Sequence, residues 1–236
     1  MTTADYSLYL ATDADLLPTE DLQLFSLLER CLSQGVSVFQ LRLKGVSTRR
    51  FYEIGLRVRE ITRACQVPLL INDRLDLALA VQADGVHLGR DDLPVSEARR
   101  LWPEGILGYS VNRIEDLAVA ATASVDYVGV GPVFPTATKR DTGPVLGLSG
   151  LREIVREARV PCVAIGNMSL ANAAEAVAAG AAGICVISTV FKADDPARAV
   201  AALRREIERA RHGRSVDIPG SSRQRESSGT DRASPG

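Results

Sequence analysis

The sequence carries no excess of either charge: its 236 residues hold 28 basic and 29 acidic side chains, a net charge of −1 at neutral pH. Without a global cationic field, nucleic acid and anionic lipid are not expected partners, since phosphate neutralisation supplies most of that affinity. No apolar run approaches the roughly 18 residues of a membrane span. The opening stretch, MTTADYSLYLATDAD, has neither the basic nor the apolar region of a secretory signal. Histidine is scarce (two residues), and the four cysteines, Cys31, Cys65, Cys162 and Cys185, are scattered without a C-x-x-C pair. Zinc is therefore not expected, and the thiols read as reduced, mostly buried groups of a cytoplasmic protein. No G-x-G-x-x-G follows the first strand candidate, so the fingerprint of a doubly wound dinucleotide-binding sheet is missing.

What is present is a regular alternation of short apolar runs and longer amphipathic stretches. Strand candidates are Tyr6–Thr12, Val36–Arg42, Pro68–Asn72, Gly85–Gly89, Ile106–Ser110, Tyr127–Gly131, Cys162–Gly166 and Gly183–Ser188. Helix-period segments follow each of them: Glu20–Ser33, Ser47–Cys65, Leu75–Val81, Pro94–Leu101, Ile114–Ala123, Leu148–Ala158, Leu170–Ala179 and Asp195–Arg211. Runs such as LLIND and VAIG are almost continuously apolar, as strands covered on both faces should be. Eight such units predict an α/β protein, a (β/α)8 TIM barrel over residues 1–212. The remainder, 213–236, is half Gly, Ser and Pro and reads as a disordered tail that cannot offset its ordering entropy.

Reactive groups in such a barrel belong at the C-terminal strand ends and the loops beyond them. The second strand ends VFQLRLK, and its period of two puts Gln40, Arg42 and Lys44 on one face, with Phe39, Leu41 and Leu43 on the other. Two cations pointing inward repel each other unless an anion joins them, so a pyrophosphate or a set of barrel carboxylates is expected there. Asp73 follows the third strand, and Asp91 and Asp92 follow the fourth. One carboxylate from each could share a Mg²⁺ that takes its other ligands from phosphate and water. Each Asp could equally cap a helix, and spacing does not choose between 91 and 92. The sixth strand opens into GPVFPTATK, a proline-rich loop bearing Thr136, Thr138 and Lys139. The turns Gly166–Asn167 and Ile187–Ser188, after the seventh and eighth strands, sit where barrels commonly bind phosphate on backbone N–H groups.

YLATD, QLRLK, INDRLDLALAVQADGVHLGRDDLP, GVGPVFPTATK and VAIG…VIS together resemble the thiamine phosphate synthase family, collinearly from Tyr6 to Leu203. The resemblance implies a transferase of a pyrimidine-methyl group. It would join hydroxymethylpyrimidine pyrophosphate to a thiazole phosphate, carboxylated or not, and release pyrophosphate. It also implies that Gln40, Arg42, Lys44, Asn72, Ser110 and Lys139 hold the pyrimidine pyrophosphate, with Arg42, Lys44, Ser110 and Lys139 as the catalytic set. Asp73 and Asp92 would bind one Mg²⁺, leaving Asp91 aside. Thr136, Thr138, Gly166, Asn167, Ile187 and Ser188 would surround the thiazole phosphate. The implied chemistry is dissociative and needs charge stabilisation and orientation rather than a nucleophile. His87 is then structural, and a homo-oligomer is compatible with the pattern.

Two positions depart from the family's usual pattern. Asn112 stands where a histidine is typical after the strand-five serine, and Asn167 stands where the second glycine of a Gly-Gly pair is typical. The rival readings are a thiazole tautomerase on the same barrel and a non-catalytic binder of phosphate ligands. The tautomerase relies on the histidine that Asn112 replaces, and an amide does not shuttle protons near neutral pH.

Overall fold

The computed structural model describes residues 4–136 and 144–216. Eight parallel strands pair in sequence order and close on themselves, β8 against β1. They are β1 (Leu8–Ala11), β2 (Val38–Leu41), β3 (Leu69–Asn72), β4 (Gly85–Leu88), β5 (Ile106–Val111), β6 (Tyr127–Val130), β7 (Cys162–Ala164) and β8 (Gly183–Val186). The helices are α1 (Asp21–Leu32), α2 (Thr48–Ala64), α3 (Leu75–Ala80), α4 (Val95–Leu101), α5 (Asp116–Thr122), α6 (Gly147–Glu157), α7 (Ala173–Ala178), α8 (Ser188–Phe191) and α9 (Pro196–Val216). This is the (β/α)8 barrel that the alternation predicts.

Local sequence accounts for the units. In α2, the Ser47 side chain accepts the Arg50 N–H at 3.3 Å, and Phe51, Ile54, Val58 and Thr62 recur at helical spacing on the buried face. Each strand divides its side chains between two cores. Leu8, Leu10, Phe39, Leu41, Leu69 and Ile71 point outward under the helices, whereas Tyr9, Val38, Leu70, Tyr127, Val163 and Cys185 point inward. The large inward rings need room. A Cβ on Gly108 would lie 2.2 Å from the Tyr127 ring, so only glycine fits beside it on β5. Tyr127 in turn packs on Tyr6 and Tyr9, with ring centroids 4.7 and 5.7 Å away.

At the N-terminal pole, Arg204 of α9 donates to Ser7 Oγ at 2.6 Å and Asp5 Oδ2 at 3.2 Å, tying the last helix to the entry of β1. Several element boundaries differ from the pattern-based reading. A 3₁₀ turn at Ala14–Leu16 follows β1. Ser188 opens α8 instead of ending β8, because the Ile187 backbone (φ −134°, ψ −84°) leaves the extended conformation. The helix expected over Leu170–Ala179 begins only at Ala173, since Asn172 bonds back into the preceding turn. The last helix runs to Val216, four residues into the stretch read as a tail, and 217–236 lie outside the described residues.

Candidate active site

A cavity of about 990 Å³, its open mouth included, fills the C-terminal end of the barrel. Gln40, Arg42 and Asn72 line one side of it, Ser110 and Thr136 the next, and Gly166, Asn167, Ile187 and Ser188 the opposite side. Most of the residues singled out in the sequence thus converge. Lys44, Asp73 and Asp92 stand beside the Asn72 side as a cluster of their own. Thr138 and Lys139 lie outside the described residues.

The cationic strand end is held by protein carboxylates. Arg42 Nη1 donates to Asp13 Oδ2 at 3.0 Å, and the Arg42 N–H donates to Thr12 Oγ1 at 2.8 Å. Lys44 Nζ stands 3.5 Å from Asp73 Oδ2. The mutual repulsion expected of these cations is therefore already relieved without a ligand. Strand parity alone does not demand an anion; the cavity beside Arg42 is what makes room for one.

Asp73 has a left-handed backbone (φ +65°), and its N–H continues the ladder to the His87 carbonyl at 2.9 Å. Asp92 accepts the Gly89 N–H at 2.6 Å. The helix-cap alternative fails for both, because Arg74 and Pro94 occupy the cap positions of α3 and α4 and neither helix has a side-chain cap. The Asp92 carboxyl is pushed above its ordinary value, first by burial and further by the adjoining Asp73 carboxyl; the Gly89 N–H and Lys44 oppose this. Two crowded carboxylates with one partly exposed lysine form a donor set suited to a hard divalent cation that draws its other oxygens from phosphate and water. Asp91 is exposed. Among the described residues no three His, Cys, Asp or Glu side chains group together as a metal site.

On the far side, Gly166 (φ +105°) brings the β7 turn against the β6 loop, where a Cβ would lie 2.7 Å from Pro132 Cα. Asn167 also has a left-handed backbone (φ +49°), and its carbonyl accepts from Asn172 Nδ2 at 3.0 Å. Asn112 donates its side-chain amide to the Gly131 carbonyl, and its N–H donates to Asp116 Oδ2 at 3.0 Å.

Three further cavity residues, Tyr9, His87 and Tyr127, had no site role in the sequence reading and form a hydrogen-bond chain. Gln40 Nε2 donates to Tyr9 Oη (2.9 Å), which bonds Tyr127 Oη (2.8 Å). Tyr127 Oη bonds His87 Nδ1 (2.8 Å), and His87 Nε2 bonds Ser110 Oγ (3.0 Å). Burial pushes both phenols upward, so they stay protonated. His87, expected to be structural, thus lies on the cavity wall against a predicted site residue. The available signal was parity: Val86 and Leu88 face the helices, so 87 faces in.

Compared with known proteins, residues 8–190, from the first residue of β1 into α8, match the model of the thiamine monophosphate synthase family. The chain belongs to that family. A thiamine-phosphate synthase of Archaeoglobus fulgidus is 46% identical over 210 residues, which is 89% of this chain and 97% of the relative. One of Chloroflexus aurantiacus is 45% identical over 200 residues, or 85% and 92% of the two chains. The solved thiamine phosphate pyrophosphorylase of Pyrococcus furiosus superposes with a TM-score of 0.80 at 39% identity, covering 88% of this chain and 98% of that one.

The two asparagines expected to depart from the family's pattern have definite structural settings. Asn112 ties β5 to the end of β6 through Gly131, a bond that a histidine ring at this place would have to make differently. Asn167 occupies a left-handed backbone that a glycine would adopt without cost and that asparagine tolerates better than most residues.

Proposed function

We propose that this chain is an enzyme that makes thiamine phosphate, joining hydroxymethylpyrimidine pyrophosphate to a thiazole phosphate with release of pyrophosphate. The observation that carries this reading is one cavity with two chemically different sides, each suited to a phosphate group. The Arg42 strand end and the Asp73–Asp92 pair lie toward one side, and the Gly166–Asn167 and Ile187–Ser188 turns line the other. Membership of the thiamine monophosphate synthase family supports it.

In this reading Arg42, Lys44 and Lys139 balance charge on the pyrophosphate as its C–O bond to the pyrimidine methylene breaks. Gln40, Asn72 and Ser110 hold the pyrimidine end. Thr136, Thr138 and the turns after β7 and β8 place the thiazole phosphate so that the ring nitrogen forms the new C–N bond. Asp73 and Asp92 would hold Mg²⁺, which when bound stabilises negative charge on the departing pyrophosphate. Neither ring needs a general base, so orientation and electrostatics are what the barrel contributes. In this reading the protein works in the cytoplasm on small-molecule substrates. A tautomerase is disfavoured because Asn112 is engaged with Gly131 and cannot carry a proton.

The test is an endpoint assay of purified protein with both substrates, with Mg²⁺ or with EDTA. Equal amounts of thiamine phosphate and pyrophosphate formed only with Mg²⁺ are expected. A folded protein that forms neither product refutes the reading in favour of a phosphate-ligand binder.

A further inference from the structure

The hydrogen-bond chain across the barrel interior joins a residue of β2 to a residue of β5, and its chemistry permits a direction to be assigned. An amide Nε2 is a donor only, and each phenol has one proton to give. Gln40 Nε2 donates to Tyr9 Oη, and because an unpaired proton on this buried phenol would be costly, Tyr9 gives its single proton to its other hydroxyl partner, Tyr127. Tyr127 Oη has then accepted one hydrogen bond and gives its own proton to His87 Nδ1, 2.8 Å away. A neutral imidazole that accepts at Nδ1 carries its proton on Nε2, which faces Ser110 Oγ at 3.0 Å. Along these four bonds each phenol and the imidazole accept once and donate once, and the last acceptor is the serine oxygen.

We propose that Tyr9, Tyr127 and His87 are positioning residues. Through the one-way chain from Gln40 to Ser110 they hold His87 as the Nε2–H tautomer and turn the Ser110 hydroxyl proton into the cavity, as a donor to the pyrimidine pyrophosphate. This rests on the functional reading above, in which both ends of the chain touch the same substrate. The reverse direction leaves the buried Tyr9 proton unpaired unless the Gln40 amide is turned over, with its carbonyl oxygen on Tyr9; Ser110 would then spend its proton on His87 and offer the substrate only an acceptor. Rigidity supports the role. Tyr9 and Tyr127 are fully buried, and a Cβ on Gly129 would come within 3.2 Å of the His87 ring, so the imidazole is packed closely in its place.

The experiment is ¹⁵N NMR of the histidine rings in the whole protein at neutral pH. Only two histidines occur, and His212→Gln leaves the His87 signals alone. A protonated Nε2 with an unprotonated, hydrogen-bonded Nδ1 is expected; a protonated Nδ1 overturns the proposal. Tyr127→Phe, or Tyr9→Phe if the first does not fold, should blur this tautomer preference. It should also lower kcat/KM for pyrimidine pyrophosphate about tenfold while leaving the KM for thiazole phosphate within about twofold. An unchanged spectrum with unchanged kinetics in a folded variant overturns the proposal as well. An Nε2–H spectrum in a wild-type protein that makes no thiamine phosphate supports the assigned direction and overturns only the functional reading.

Discussion

Asp13 holds Arg42. The carboxylate accepts from the guanidinium at 3.0 Å, and with side chains only 13% and 12% exposed the pair is shielded well enough to fix the cation's direction. The same carboxylate accepts the Asp15 N–H at 3.2 Å, so the 3₁₀ turn after β1 anchors the partner of the residue that follows β2. Asp13→Ala removes this anchor and is expected to lower kcat/KM for pyrimidine pyrophosphate about tenfold, the size of one charge-assisted hydrogen bond. Asp13→Asn keeps an acceptor and should recover most of the loss. Steady-state kinetics with the pyrimidine substrate varied checks both.

The neighbouring carboxylates carry a harsher prediction. Asp73→Ala and Asp92→Ala should each lower turnover by about a hundredfold or more and weaken the response to Mg²⁺, because one remaining carboxylate holds a hydrated dication poorly. Lys139→Ala should cost turnover severely at saturating Mg²⁺. Far-UV circular dichroism should be unchanged in all three; near-wild-type rates would refute the site assignment.

Asn167→Gly replaces a side chain whose backbone has φ +49° with the residue that adopts this conformation freely. The expected outcome is a KM for thiazole phosphate two- to fivefold lower, with thermal stability within about 1 kcal/mol of wild type, since relief of strain is offset by greater chain entropy in the unfolded state. Parallel melting curves and substrate titrations read both quantities.

Asp5 predicts a pH effect on stability. Burial acts to raise its carboxyl, but hydrogen bonds from the Ser7 hydroxyl and N–H and from Arg204 outweigh it, and the net shift is below the usual value of 3.8. A depressed carboxyl stabilises the fold above the unfolded value, and the contribution is lost as pH falls through the folded one. Asp5→Asn should therefore destabilise the protein at pH 6 and become neutral in the acid range. The Asp5 side chain is 47% exposed, so screening limits the effect to about 1 kcal/mol or less. Urea unfolding of both proteins across pH checks the sign.

The eight strands, their helices and the inward parity of Gln40 and Arg42 were legible in the sequence because they depend on period: two along a strand, 3.6 along a helix. The motifs at the strand ends marked most of the cavity, since the C-terminal face follows from chain direction once a barrel is assumed. Partners were not legible. Whether Asp92 caps α4 or faces Asp73 depends on how the loop after β4 folds, and both outcomes suit the same residues.

His87 shows the limit most clearly. Its inward direction is written in the alternation of β4, yet its bond to Tyr127 spans 40 residues and the bond between Tyr9 and Tyr127 spans 118. Local pattern determined which side chains enter the barrel. Closure of the sheet alone decided which of them meet, because the stagger between strands, and not distance along the chain, sets the contacts inside.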